Sequence, residues 1–269
     1  MSVRVLFLIV SVSAIYNDTI LAFNSANGKQ AVVFRWIPGA EETMIKVDTK
    51  FDQTDADATF ACSLMFNGKM LLAGGYNKRR QLAMVSDSCK VAQVGQLPFD
   101  LFDGSCSTFI NRGVEPKLYL CFPYSDPKTN VKSCWSYNGK TFHTEPASQN
   151  SHQGGQLQQF RDKLIGIAGR AGLTVESLSV GNTTWSIEQS LPMDTTHYEN
   201  YLCDFSSVVF NGSIFIFGGD SGGWRVNVMK YDGKWTMMPS LLAQRDDHRS
   251  IVIGNSIYHV GGTNMQQPM

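Results

Sequence analysis

The side chains able to do chemistry are few and widely spaced. The histidines are His143, His152, His197, His248 and His259, and no HxH or HExxH spacing or paired His–carboxylate spacing joins them. A metal-ligand set therefore has no support in the sequence, and no metal site or cofactor is expected. Asp52, Asp55 and Asp57 cluster but lack the glycine and distant glutamate of a calcium loop, so they read as solvated linker. Neither a Gly-x-Ser-x-Gly elbow nor a phosphate-binding glycine loop is present. With no nucleophile–base pair to assign, no catalytic residue is expected.

The six cysteines, Cys62, Cys89, Cys106, Cys121, Cys134 and Cys203, are even in number and form no CxxC pair, which favours disulfides over zinc or redox chemistry. Three Asn-x-Ser/Thr acceptors begin at Asn17, Asn182 and Asn211. At the N-terminus, Arg4 precedes an apolar run, Val5 to Val12, and Ala14 follows at a small-residue cleavage position. This layout predicts a signal peptide over residues 1–14, with a first strand of the domain as the competing reading. Together these features predict a secreted, extracellular, disulfide-bonded glycoprotein.

Composition agrees with a soluble globular chain. Lys+Arg and Asp+Glu both total 23 in 269 residues, so no basic footprint for nucleic acid exists. Apolar residues reach 43% while charged residues are 17%, which excludes disorder. No run reaches the roughly 18 apolar residues of a membrane helix. A single monomeric chain without a membrane span is expected.

The elements that must position any site emerge from self-comparison. Met65–Gly75, Val209–Gly219 and Val252–Gly262 each read as apolar run, turn residues, apolar run, Gly-Gly. Degraded copies run from Phe160 to Gly169 and from Phe109 to Phe122. The second apolar runs end near residues 74, 121, 168, 218 and 261, at steps of 47, 47, 50 and 43. A second landmark follows the first four: Trp235 before Pro239, Trp185 before Pro192, Phe142 before Pro146, and Val91 before Pro98. Each unit thus predicts two strands joined by a tight turn, a Gly-Gly exit, then two more strands. Asn-Gly suits a two-residue hairpin because both central positions need positive φ. The fourth-strand aromatic is expected to pack between adjacent sheets.

Repeats of this period with Gly-Gly and a spaced Trp resemble the Kelch repeat of β-propellers, over about residues 58–262. The resemblance implies an all-β propeller of four-stranded blades. The last copy carries only two strands, so the N-terminal region 15–57, with strands over Thr19–Phe23 and Ala31–Trp36, is expected to complete it. That yields five blades, with six as the alternative, and assigns residues 58–269 to the repeats.

In a four-stranded meander the 2–3 and 4–1 loops share one end. Its candidate binding residues are Lys78, Arg79, Arg80, Arg170, Trp224, Arg225, Arg245, Asp246 and His248, beside Asn77, Asp220 and Asp247. Asn182 and Asn211 fall at the opposite end, leaving the loop face free for a protein or glycan ligand. Solvated loop charge is the plainer reading of any one of these residues, and a loop-steadying hydrogen bond that of His248. Placing the cysteines on the repeat frame suggests Cys62–Cys89, Cys106–Cys134 and Cys121–Cys203, at separations of 27 and 28 for the first two.

The resemblance also brings alternatives. Copper-radical sugar oxidases need a Tyr-Tyr-His-His set that no positions here match. Sialic-acid mutarotases are similarly small and secreted, but no catalytic motif transfers. Intracellular Kelch adaptors carry a dimerisation domain ahead of the propeller, for which the 57 residues before the first repeat leave no room. A binding or scaffold module without catalysis is the leading expectation.

Overall fold

The computed structural model describes residues 61–85, 91–110, 115–124, 131–179, 181–193, 199–223 and 226–263, with the backbone of five strands before them. Every regular element among the described residues is a strand, and the strands form six sheets.

The apolar runs and their turns form hairpins as the sequence implies. Strands β1 (Ser2–Leu6), β2 (Val12–Tyr16), β3 (Thr19–Asn24), β4 (Gln30–Arg35) and β5 (Ile45–Lys50) precede the recognisable repeats. The next meander contains β6 (Cys62–Phe66), β7 (Lys69–Ala73), β8 (Gln81–Val85) and β9 (Val91–Gln96). It is followed by β10 (Ser105–Phe109), β11 (Lys117–Cys121), β12 (Cys134–Tyr137) and β13 (Phe142–Glu145). Then come β14 (Gln156–Phe160), β15 (Lys163–Ile167), β16 (Val175–Ser179) and β17 (Ser186–Ile187). The last are β18 (Ser206–Phe210), β19 (Ser213–Phe217), β20 (Val228–Tyr231), β21 (Trp235–Met238), β22 (Asp246–Ile253) and β23 (Ser256–Thr263).

Five sheets are antiparallel meanders of four consecutive strands, and the sixth has the order β1-β23-β22. The first strands β2, β6, β10, β14, β18 and β22 touch in that order, and β22 also touches β2. This is the blade order of a β-propeller. The five-blade expectation is corrected to six sheets. The region 15–57 does not complete the last one: Val12–Lys50 holds a four-stranded sheet of its own. It carries no Gly-Gly exit, so the repeat comparison passed over it. The strand that joins β23 is β1, paired in parallel with Ser2 opposite Ser256, and it falls in the segment also read as a leader.

Burial explains the sequence pattern. Second strands such as β19 (SIFIF) are buried along their whole length, because neighbouring sheets cover both faces. First strands mix polar and apolar residues, since they line the axis. There Gln158 Nε2 donates to Ser207 Oγ of the next sheet at 2.8 Å. Thr108 Oγ1 likewise donates to Met65 O at 2.7 Å. Trp185 and Trp235 are both buried, as expected for the fourth-strand landmark. Trp185 Nε1 bonds Pro146 O of the preceding sheet at 2.8 Å. Phe142 stacks on Tyr137 at 4.5 Å between centroids and meets Phe99 edge-on.

The Gly-Gly exit has a specific role between blades. The N–H groups of Gly75, Gly169 and Gly219 donate to the carbonyls of Leu101, Leu202 and Arg245, each on the chain leading into the next sheet. The preceding residue takes positive φ: 70° at Gly74, 47° at Ala168 and 61° at Gly218. In the degraded copy this pair reads Phe122-Pro123. Phe122 keeps φ at 60° and buries its ring against Trp185, while Pro123 has no N–H to give.

The disulfide pairing differs from expectation. Cys62 bonds Cys106, joining the first strands of neighbouring sheets with Cα atoms 6.0 Å apart. Cys121 bonds Cys134, directly opposite on β11 and β12. Cys203 is a buried free thiol, so its expected bridge to Cys121 is not formed. Equivalent places on adjacent first strands face each other across the blade junction, which is why the frame partners Cys62 and Cys106 bond one another. Cys89 lies outside the described residues.

Candidate ligand-binding face

The 2–3 and 4–1 loops meet at one end of the axis, and the backbone there repeats from blade to blade. Two residues beyond the carbonyl at Leu101, Leu202 or Arg245 comes Asp103, Asp204 or Asp247, with φ of 49°, 56° and 50°. Gly154 takes the corresponding place before β14, at φ 69°. The amide of Asp204 donates to Gly154 O at 2.8 Å, and that of Asp247 to Asp204 O at 2.9 Å. A short chain of backbone bonds across successive sheets therefore holds Asp204 and Asp247 at the mouth.

Arg170, on the β15–β16 loop, bridges them. Its Nη2 lies 2.9 Å from Asp204 Oδ2 and 3.8 Å from Asp103 Oδ2, with the side chain 48% exposed. Burial lowers the affinity of this guanidinium for its proton, but Asp204, Cys203, Asp103 and Asp247 outweigh that and raise it. Burial, then the Asp204 charge, lifts Asp103 to about 7 against the pull of Arg170 and Arg249. Burial lifts Asp247 to about 6, again with Asp204 next in effect. The Cys203 thiol donates to Asp204 Oδ2 at 3.0 Å, and burial pushes its ionisation well up. It is an inert thiol.

A polar cleft of about 420 Å³ opens beside the β7–β8 loop. Lys78, Arg79 and Arg80, expected on this face, all line it, together with Tyr76, Asn77 and glutamines of β8 and β9. Arg80 Nε bonds Asp100 Oδ1 at 2.6 Å. The Arg79 guanidinium sits 5.5 Å from the centre of the Phe102 ring. Phe102 meets Tyr76 and Tyr124 edge-on at 5.4 and 5.3 Å, so an aromatic row runs from the cleft toward Asp103.

Other expected ligand residues are placed elsewhere. Arg245, Asp246 and His248 are buried inside the last blade junction rather than displayed to a ligand. Arg245 Nη1 donates to Gly261 O, which anchors the loop leading into β22. His248 is fully buried, its ring 5.5 Å from that of His259, and burial holds both imidazoles below the usual histidine value, His259 at about 4. His259 Nδ1 is 2.7 Å from Ser250 Oγ. Trp224 and Arg225 lie outside the described residues, as does Asn17. Asp220 accepts from Gly223 N–H at 2.8 Å and shapes its own loop. Asn182 and Asn211 are exposed in the β16–β17 and β18–β19 turns, at the opposite end from the loop face.

His152 and Glu176 form a second buried pair, with Nε2 and Oε1 3.5 Å apart. Glu176 accepts from the amides of Gln149 and Asn150, at 2.8 and 2.6 Å, and from Asn150 Nδ2. Burial raises its ionisation, but His152 and these donors outweigh it and leave the carboxylate below its ordinary value. This pair staples a connecting loop to the next blade and faces no open space.

The sequence missed Asp103, Asp204, Arg249 and the aromatic row. Aligning the copies on the residues two beyond each Gly-Gly-bonded carbonyl would have grouped Asp103, Asp204 and Asp247. Among the described residues no group of three or more His, Cys, Asp or Glu side chains could hold a metal ion. Nor is any helix long and apolar enough to cross a membrane.

The blades, their Gly-Gly junctions and the loop face define a Kelch-type β-propeller. A Kelch motif is matched over residues 202–242. Among solved structures, one titled "Structure of YjhT" superposes with a TM-score of 0.71 at 15% identity, over 94% of this chain and 90% of that one. No curated protein matches the chain.

Proposed function

We propose that this propeller is a secreted binding or scaffold module that takes a protein or glycan ligand on its 2–3/4–1 loop face. The observation carrying this reading is segregation. The Arg170–Asp204–Asp103 mouth and the aromatic-edged cleft share one end, while the acceptors Asn182 and Asn211 stand at the other. Sugar chains there would leave the loop face open. Two disulfides, one of them between blades, favour an oxidising compartment.

The test is expression in a secreting cell, intact mass with and without N-glycosidase, and crosslinking to extracellular partners. Cleavage after Ala14 gives a mass beginning at Ile15, and β1 and the first three residues of β2 then leave with the leader. A glycosidase-sensitive secreted chain whose crosslinks vanish in Arg170→Ala but persist in Asn182→Gln supports the proposal. Retention in the cell with Met1 present and no glycan sinks the secretion part and favours an intracellular adaptor.

One observation favours a second reading, a sugar-modifying enzyme. Asp103, at about 7 beside Arg170, is suited to pass a proton near neutral pH. Anomer exchange of reducing sugars, followed by NMR and lost in Asp103→Asn, would establish it.

A further inference from the structure

We infer that the cleft beside the β7–β8 loop is a subsite for an acidic saccharide, one bearing a carboxylate or sulfate on a polyhydroxylated ring. This deepens the loop-face reading and rests on it. The walls of the cleft are polar and aromatic: the lining includes Tyr76, Asn77, Arg79, Gln93 and Gln96, with no aliphatic side chain among the described residues. Its volume, about 420 Å³, falls among ordinary small-ligand sites.

Each wall group has a counterpart in such a ligand. Amides carry a donor and an acceptor side by side, which matches neighbouring hydroxyls. The exposed Tyr76, 53% accessible, is steadied by a T-shaped contact with Phe102 and leaves ring surface for the C–H face of a sugar. Arg79 is the anion contact. Its guanidinium carbon sits over the Phe102 ring, 5.5 Å from the centroid, a cation–π contact that uses none of its N–H groups, and among the described residues no carboxylate pairs with it. A planar fork held in this way suits a two-pronged grip on carboxylate or sulfate. Arg80 at the rim is tied through Nε to Asp100, which balances its charge and leaves Arg79 as the anion contact.

An acidic peptide fits less well. Peptides gain affinity from main-chain pairing. The nearby amides are already used: Gln81 N–H by Lys78 O, Leu97 N–H by Arg80 O, and Leu101 N–H by Arg79 O.

The experiment is calorimetric titration of the secreted full chain with four probes: a heparin-derived hexasaccharide, a hexameric oligogalacturonate, a neutral dextran oligomer of matched length and polyglutamate. The expected result is binding of at least one acidic probe, which also tells sulfate from carboxylate, and none of dextran. Arg79→Ala should weaken binding at least tenfold, Tyr76→Ala several-fold, and Arg79→Lys should restore only part. Circular dichroism checks that each variant is folded, and Asn182→Gln should bind as the parent does. The inference is overturned if neither acidic probe binds, if dextran or polyglutamate binds as well, or if both Arg79→Ala and Tyr76→Ala bind undiminished. Failure here with a crosslinked partner still lost in Arg170→Ala leaves the loop-face reading standing. Partner capture that no loop-face substitution alters ends both.

Discussion

The amide of Asp247 donates to the carbonyl of Asp204 at 2.9 Å, so two aspartates from successive blades are set side by side by their backbones. Their spacing is thus fixed by blade geometry rather than by the reach of their side chains. Arg170 enters from a third blade and bonds Asp204 at 2.9 Å. The mouth is therefore built from separate repeats: the aspartates occupy equivalent backbone positions, and Arg170 reaches them from a 2–3 loop. Aspartate tolerates the left-handed conformation needed there better than most residues, and asparagine tolerates it equally. Asp→Asn substitutions at these places remove charge without disturbing the frame.

Cysteine chemistry gives the first check. Non-reducing peptide mapping should recover Cys62 with Cys106 and Cys121 with Cys134. Cys203 should resist alkylation in the native protein and react on unfolding, because it is buried and its ionisation is pushed up. The Cys62–Cys106 bridge closes 44 residues and the Cys121–Cys134 bridge 13. In the chain-entropy picture, removing the longer one costs about 4 kcal/mol and the shorter about 3. Urea titrations of the two double alanine variants would rank them. A Cys62 peptide linked to Cys89 would contradict the structure.

The repeat frame was legible because junction chemistry writes itself into the sequence. Gly-Gly, the turn pair Asn211-Gly212 and the buried Trp235 each answer a local backbone or packing need. Blade number was less legible. Val12–Lys50 lacks Gly-Gly, and Phe122-Pro123 keeps the conformation while losing the residue types. The site was legible in part: Arg170 and Lys78 to Arg80 fall on the loop face, whereas Arg245 and His248, read as loop residues, are drawn inside by the last junction. Disulfide pairing depends on which strands face across a junction, and separation along the chain does not encode that.

Two glycines separate close approach from conformation. Gly212 has φ of 71° and open space around it, whereas Gly218 has φ of 61° and a Cβ there would overlap Arg245 O. Gly212→Ala should therefore cost about 1 kcal/mol, the strain of a left-handed alanine. Gly218→Ala adds a steric clash at the junction carbonyl that Gly219 N–H bonds. Its cost should be at least about 3 kcal/mol. Denaturant midpoints of the pair decide the matter, and equal midpoints would refute the junction role.

Glu176→Gln tests the buried staple. The carboxylate accepts three hydrogen bonds, and an amide nitrogen in place of one oxygen would face a donor. A loss of about 2 kcal/mol is expected at pH 7. Since Glu176 is held below its ordinary value, its contribution is present above that value and fades as pH falls through the folded one. The gap between parent and variant melting temperatures should narrow in acid. A gap that is constant down to pH 3 would show that ionisation of this carboxylate is immaterial.

The pH dependence of stability carries opposing contributions that substitutions can separate. Asp103 titrates at about 7 in the fold against 3.8 ordinarily, so between these values the folded state holds the proton more tightly. Its contribution to stability is full below pH 4 and is lost as pH rises toward 7. His259 titrates at about 4 against 6.5 ordinarily, and there the unfolded state holds the proton. Its contribution is full above pH 6.5 and is lost as pH falls toward 4. Asp103→Asn should therefore raise the melting temperature at pH 8 and leave it nearly unchanged at pH 4. Water reaches part of this side chain, so the gain should be about 1–2 kcal/mol. His259→Asn, which keeps a polar atom toward Ser250, should flatten the fall in stability between pH 6.5 and 4. Melting curves of the parent and both variants at pH 4, 6 and 8 read out both effects. An Asp103→Asn gain that is the same at pH 4 and 8 would mean that the carboxylate at the mouth is not held protonated by the fold.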